Sequence, residues 1–158
     1  MVGKILSEME LHGTYLSHSG RPFTVALLPT IDASNTGRSN LGFGFNDRPS
    51  VTGDPSVSDQ SPEQWFNTGA FSFPAFGTFG DAPRNMLQGP SYKNVNLALV
   101  KNMLFGTRSR LQLRAEAFNL FNRANFDLPD SFLGSPTFGQ ILSAGSPRRF
   151  QFGVKYIF

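Results

Sequence analysis

Cysteine is absent, so the chain has no disulfide, no thiolate metal site and no cysteine nucleophile. Long apolar runs are absent too. Nothing approaches the roughly 20 consecutive apolar residues that a membrane-crossing helix requires, which excludes a helical membrane protein. Charge is sparse, with 16% Asp, Glu, Lys and Arg and a net charge of +3. The arginines are scattered instead of forming a stripe along a phosphate backbone, and this argues against a nucleic-acid partner. Met1–Glu8 carries one lysine but lacks the apolar core of a secretory leader.

What the chain does have is phenylalanine (17), glycine (16) and proline (11), within a composition that is 39% hydrophobic. That is too apolar and aromatic for disorder. An average of this kind is expected when hydrophobicity is placed at every second residue, as in a barrel wall with lipid on one side and water on the other.

The last eleven residues show the pattern most clearly. Phe150, Phe152, Val154, Tyr156 and Phe158 share one face, and Arg149, Gln151, Gly153, Lys155 and Ile157 take the other. About ten residues is the length a tilted strand needs to cross the hydrocarbon layer. Three further spans follow from periodicity. The first covers 7–28, with Glu8, Glu10, His12, Thr14 and His18 opposite Met9, Leu11, Gly13 and Tyr15, and continues through a kink at Gly20-Arg21-Pro22. The second covers 93–105, with Val95, Leu97, Leu99, Lys101, Met103 and Phe105 on one face; Lys101 is the misfit, placed where its ammonium can snorkel out of the apolar layer. The third covers 110–122, where Arg110, Gln112, Arg114 and Glu116 alternate with Leu111, Leu113, Ala115 and Ala117, before parity breaks at Phe118-Asn119-Leu120-Phe121-Asn122.

Between these spans lie a long Pro/Gly-rich connection over 29–92, a short turn at Gly106-Thr107-Arg108-Ser109, and a second long connection over 123–147. Alternating long and short connections match barrels with tight periplasmic turns and large outer loops, and they put the end of the final strand in the periplasm. The expected fold is therefore all-β, with antiparallel strands of an outer-membrane β-barrel. The chain is expected to be a C-terminal fragment with about four membrane-crossing strands and a long extracellular loop. The competing expectation is a soluble β-sandwich binding module, in which Leu97/Leu99 and Leu111/Leu113 pack into a dry core and the aromatic loop recognises a ligand.

Enzymatic chemistry has little support. His12, His18 and Glu10 could seed a metal site, but lumen-facing polar residues explain them equally well. Asp127 and Asp130 flank Pro129 and read as Asx turns before they read as a catalytic pair. Gly42 and Gly44 lack the rest of a dinucleotide fingerprint. No catalytic residue, metal ligand or cofactor is expected. In the long connection, Trp65, Phe66, Phe71, Phe73, Phe76 and Phe79 offer faces for ligand contact, or else pack the loop against itself.

Several segments together carry a resemblance: Ser19-Gly20-Arg21-Pro22-Phe23-Thr24-Val25, Gln64-Trp65-Phe66-Asn67-Thr68, Phe76-Gly77-Thr78-Phe79-Gly80, Arg84-Asn85, Leu111 to Asn122, and Tyr156-Ile157-Phe158. In order and spacing the set resembles the C-terminal end of TonB-dependent outer-membrane receptors. More narrowly it is similar to the Oar-like group, whose members carry a carboxypeptidase-regulatory-like domain near the N-terminus. The resemblance implies cell outer-membrane localisation, a barrel of about 22 strands with an internal plug, and uptake of a bulky nutrient of the siderophore, cobalamin or glycan class. It implies as partners the rest of the barrel and plug, outer-membrane lipid and the barrel insertion machinery, with TonB engaged only through a missing N-terminal part. It also implies that Phe150, Phe152, Val154, Tyr156 and Phe158 form the assembly signal, and that Arg110, Gln112, Arg114 and Glu116 face the lumen. Four strands leave two unpaired edges, so the chain is expected to be inactive alone, as a fragment or truncated reading frame.

Overall fold

The computed structural model describes residues 8–37, 46–105 and 109–158. Among them lie ten strands: β1 (Met9–His18), β2 (Pro22–Phe23), β3 (Ala26–Leu27), β4 (Ser50–Val51), β5 (Phe71–Ser72), β6 (Leu87–Gln88), β7 (Tyr92–Phe105), β8 (Ser109–Phe118), β9 (Phe132–Leu133) and β10 (Arg149–Ile157). The chain divides into two compact units. One takes the described residues of Met1–His18, Tyr92–Asn125 and Gly145–Phe158; the other takes those of Ser19–Ser91 and Phe126–Ala144.

The first unit is a four-stranded antiparallel sheet in the order β1-β7-β8-β10. Its register brings the alternating patterns of the four strands onto common faces, because residues directly opposite each other in a ladder point the same way. One row runs Leu11, Leu99, Ala115, Phe152, and another runs Met9, Lys101, Leu113, Val154. The face they build is apolar on all four strands, with Lys101 as the exception in these rows. The other face carries His12, Ala98, Glu116 and Gln151 in one row, and Glu10, Val100, Arg114 and Gly153 in the next. A shift of one residue in any strand would exchange its two faces, so the apolar pattern itself specifies this register.

The apolar face is uncovered: Phe152 is 79% exposed and Leu11 71%, while Leu99 and Leu113 are each 39% exposed. This corrects the sandwich expectation. Leu97, Leu99, Leu111 and Leu113 lie side by side on one face of one sheet, where they cannot close a dry core against each other. β1 and β10 are the edges of the sheet.

Two strands stop short of the expected spans, the second of them at the break of parity. The first span ends at His18, not at 28, with the His18 ring stacked on Tyr92 at 5.1 Å in the last pair of the β1–β7 ladder. Immediately beyond, Gly20 passes so close to the backbone of Gly89 that a Cβ there would stand 1.7 Å from the Gly89 carbonyl oxygen. Pro22 then has no N–H for a ladder, and Pro22–Phe23 pairs with Leu87–Gln88 instead of extending β1. The third span ends at Phe118, not at 122, because Asn119 and Asn122 both adopt left-handed backbone, with φ of 51° each. Residues 106–108 of the expected short turn lie outside the described residues, as do Gly42 and Gly44; Phe105 pairs with Ser109.

Residues 29–92 and 123–147, which were expected to be connections, are largely a packed unit. Phe23, Val25, Phe66, Ala70 and Phe71 form its buried core, and Phe138 from the second connection packs against them. Phe66 meets Phe138 edge-on at 5.2 Å and Phe71 at 5.8 Å. The two connections are also joined by backbone: β3 pairs in parallel with β9, Trp65 N–H donates to the Gly139 carbonyl at 2.9 Å, and Ile141 N–H donates to that of Pro62 at 2.7 Å. No ladder within this unit exceeds two residue pairs among the described residues.

Candidate functional site

On the polar face of the sheet, side chains link neighbouring strands. Glu10 accepts from His12 Nε2 at 3.3 Å and from Asn102 Nδ2 at 3.3 Å, and Asn102 accepts from Gln112 Nε2 at 3.0 Å. Arg114 pairs with Glu116 at 2.8 Å, and Val100, opposite Arg114, is buried beneath this layer. Arg110, Gln112, Arg114 and Glu116 thus occupy the polar face together, opposite the face bearing Phe150, Phe152, Val154 and Tyr156. Phe158 is 93% exposed and stacks on Tyr156 at 6.0 Å.

Asparagine organises the end of this face where β8 stops. Asn119 is buried; its Nδ2 donates to the Arg123 and Ser146 carbonyls, its Oδ1 accepts from Arg123 N–H, and its own N–H donates to Asn96 Oδ1 at 2.9 Å. Asn122 Oδ1 accepts Arg148 N–H, and buried Asn125 accepts Lys93 N–H through Oδ1. The Asn119-Leu120-Phe121-Asn122 segment therefore works as a clamp. Its short amide side chains tolerate the left-handed turn and satisfy backbone groups that the ladder has released. A cleft of about 230 Å³ lies here, lined by Tyr92, Asn94, Asn96, Phe118 and Arg149 among others, and Asn94 Oδ1 is buried in it without a hydrogen-bond partner among the described residues. Sequence reasoning missed this cluster. The available signal was the Asn94, Asn96 repeat on the polar parity of β7.

The six aromatic residues of the long connection separate into two groups. Phe66 (2% exposed) and Phe71 (6%) are core residues whose rings hold Phe138, so they have no face left for a ligand. Phe73, Phe76 and Phe79 are exposed. Trp65 is half-buried, with Nε1 donating to the Gln88 carbonyl at 2.8 Å. It borders a pocket of about 390 Å³ together with Asp54, Ser56, Gln60, Met86 and Gln88.

The carboxylates in this second unit serve local structure. Asp130 accepts from Ser135 Oγ, Thr137 Oγ1 and Phe132 N–H. Partial burial pushes its pKa up, but the Ser135, Thr137 and Phe132 hydrogen bonds together outweigh that and leave it below the ordinary value of 3.8. Asp127 accepts from Ser143 Oγ at 2.7 Å. Each Asp is thus tied to its own hydroxyl partners and the two do not act as a pair. Buried Asp47 accepts both the N–H and Oγ of Ser34. The Asp54 carboxyl is lowered by the Ser56 backbone N–H and then by its hydroxyl. Among the described residues, no three His, Asp or Glu side chains are grouped to hold a metal ion.

Comparison with known proteins agrees with the sheet. A model of the outer membrane beta barrel domain matches residues 1–151. No curated protein matches the chain, and no solved structure does. The matched residues include β1, β7 and β8 in full and the start of β10, so the match covers three of the four strands of the sheet together with the unit built from its two long connections. A sheet with one face apolar and exposed, the other polar and cross-linked, has the construction of a barrel wall between lipid and an aqueous interior. The chain belongs to the outer membrane beta barrel domain family and is a protein of the outer membrane.

Proposed function

We propose that the chain forms the C-terminal part of a TonB-dependent receptor of the Oar-like group, contributing four wall strands and an outer recognition unit to the uptake of a bulky nutrient of the siderophore, cobalamin or glycan class. The observation that supports this best is the single continuous apolar face running through β1, β7, β8 and β10, combined with the departure of both long connections from one end of that sheet, after His18 and after Phe118. In this reading β1 and β10 pair with the remaining strands of the barrel, since unpaired backbone groups are not tolerated in lipid. The polar face, with Arg110, Gln112, Arg114 and Glu116, lines the lumen and meets the plug. Phe158 and the alternating residues before it are read by the insertion machinery, and TonB acts through the plug side of the complete receptor. No catalytic chemistry and no cofactor are part of this role.

The absence of cysteine allows a direct test. Leu99→Cys and Phe152→Cys in outer membranes are expected to resist a water-soluble maleimide, whereas Gln112→Cys and Gln151→Cys are expected to react with it. Equal labelling of both sets would reject the wall. Uptake of candidate nutrients by the complete receptor is expected to stop when TonB is removed, and uptake that continues would reject the transport reading alone. Deleting Phe158 is expected to lower the amount of assembled barrel.

A further inference from the structure

We propose that the pocket beside Trp65 binds a neutral saccharide of about one to two pyranose rings. Its volume of about 390 Å³ is in the range of small-ligand sites. The platform is the indole of Trp65, whose orientation is fixed by the bond from Nε1 to the Gln88 carbonyl. An aromatic face of this kind takes the C–H face of a sugar ring. Met86 and Leu87, which pack against the aromatic core, supply further apolar lining.

The polar rim is made of two oriented amides and a carboxylate. Gln60 Nε2 donates to the carbonyl of Trp65 at 3.1 Å and Gln88 Nε2 donates to that of Gly20 at 3.2 Å. Each amide spends one of its two N–H donors on a carbonyl, which orients it, and its oxygen is not used by another group among the described residues. Asp54 adds a carboxylate that accepts the Ser56 N–H at 2.9 Å and has no cationic partner among the described residues. Oriented amides and a carboxylate around an indole call for a ligand rich in hydroxyls, which both donate and accept, that also has an apolar face. An ammonium ligand fits less well: Asp54 is fully exposed, water screens its attraction for a cation, and the remaining rim is neutral.

That the sugar is cargo rests on the receptor reading above; that it binds does not. Trp65 is the only tryptophan in the chain, so its emission reports on this pocket alone. The experiment is a titration of the full chain in detergent micelles with maltose, cellobiose, xylobiose and chitobiose, and with choline as the cationic control. At least one disaccharide is expected to shift the emission saturably below about 50 mM. Asp54→Ala should weaken that sugar about tenfold, whereas Asp54→Asn, which keeps an acceptor, should weaken it by less than about threefold. Saturation by choline with loss on Asp54→Asn, or saturation by none of the five, overturns the proposal. Sugar binding without TonB-dependent uptake would keep the site and reject only the receptor role.

Discussion

The sheet and the unit built from its long connections are stabilised in opposite ways. The sheet has ladders of nine and ten residue pairs, and its large apolar side chains point outward. The connection unit has ladders of two pairs, with Phe66, Val25 and Leu27 almost wholly buried. One satisfies its backbone internally and depends on its surroundings to cover its hydrophobic surface, as hydrocarbon does for a barrel wall. The other covers its hydrophobic surface itself and satisfies its backbone through short ladders and scattered turn and loop hydrogen bonds, as a small globular core does. The difference shows that two ways of covering apolar surface are written into one chain, which passes from one unit to the other after His18, Ser91, Asn125 and Ala144.

The sharpest way to break the contrast is in the aromatic core. Phe66→Ala removes the ring that contacts Phe23, Phe71 and Phe138. It should cost about 3–5 kcal/mol in the connection unit. Near-UV circular dichroism under urea is expected to show this loss while the β signal of the sheet in lipid vesicles persists. Concerted loss of both signals would mean that the units are one cooperative body. Next comes the lipid face. Leu99→Arg, in the row with Leu11 and Ala115, is expected to cost about 2–4 kcal/mol of folding free energy in bilayers. Gln112→Arg on the opposite face should cost far less. Equal costs, measured by urea titration in vesicles, would show that the two faces see the same medium.

The clamp at the boundary should respond less. Asn119→Ala removes three hydrogen bonds of a buried amide and leaves a residue less suited to φ of 51°. The bond from its own N–H survives in the backbone, so the expected cost is about 1–3 kcal/mol. Faster proteolysis within residues 119–125 is the readout, and an unchanged digest would remove the clamp from the account. The smallest effect is the response to acid. The folded pKa of Asp130 lies below its ordinary value, so its contribution is fully present above the ordinary carboxylate range and is lost as the pH falls through the depressed folded value. The urea midpoint of the connection unit should therefore hold steady down to the ordinary value of 3.8 and decline below it, and Asp130→Asn should flatten that decline. A decline beginning near neutral pH would implicate another group.

Alternation by itself determined the four strand cores and their two faces, and the lengths of the connections determined the antiparallel directions. With a period of two, only one register keeps Leu11, Leu99, Ala115 and Phe152 together. The same signal made Arg110, Gln112, Arg114 and Glu116 recognisable as one polar row. Strand ends were less legible: alternation continues past His18 into Phe23 and Val25, and only the close approach of Gly20 to Gly89 shows why the chain leaves the sheet there. The connection unit could not be read from periodicity at all. Its core joins Phe23, Phe66, Phe71 and Phe138, residues too far apart in sequence for any local pattern to link them, and its ladders are too short to alternate. For that reason Phe66 and Phe71 looked like Phe73 and Phe76 until packing separated buried rings from exposed ones. The Asn119 clamp and the Trp65 pocket were decided in the same way. Both depend on backbone carbonyls and amides brought together by the fold, and a carbonyl carries no side-chain signature in a sequence.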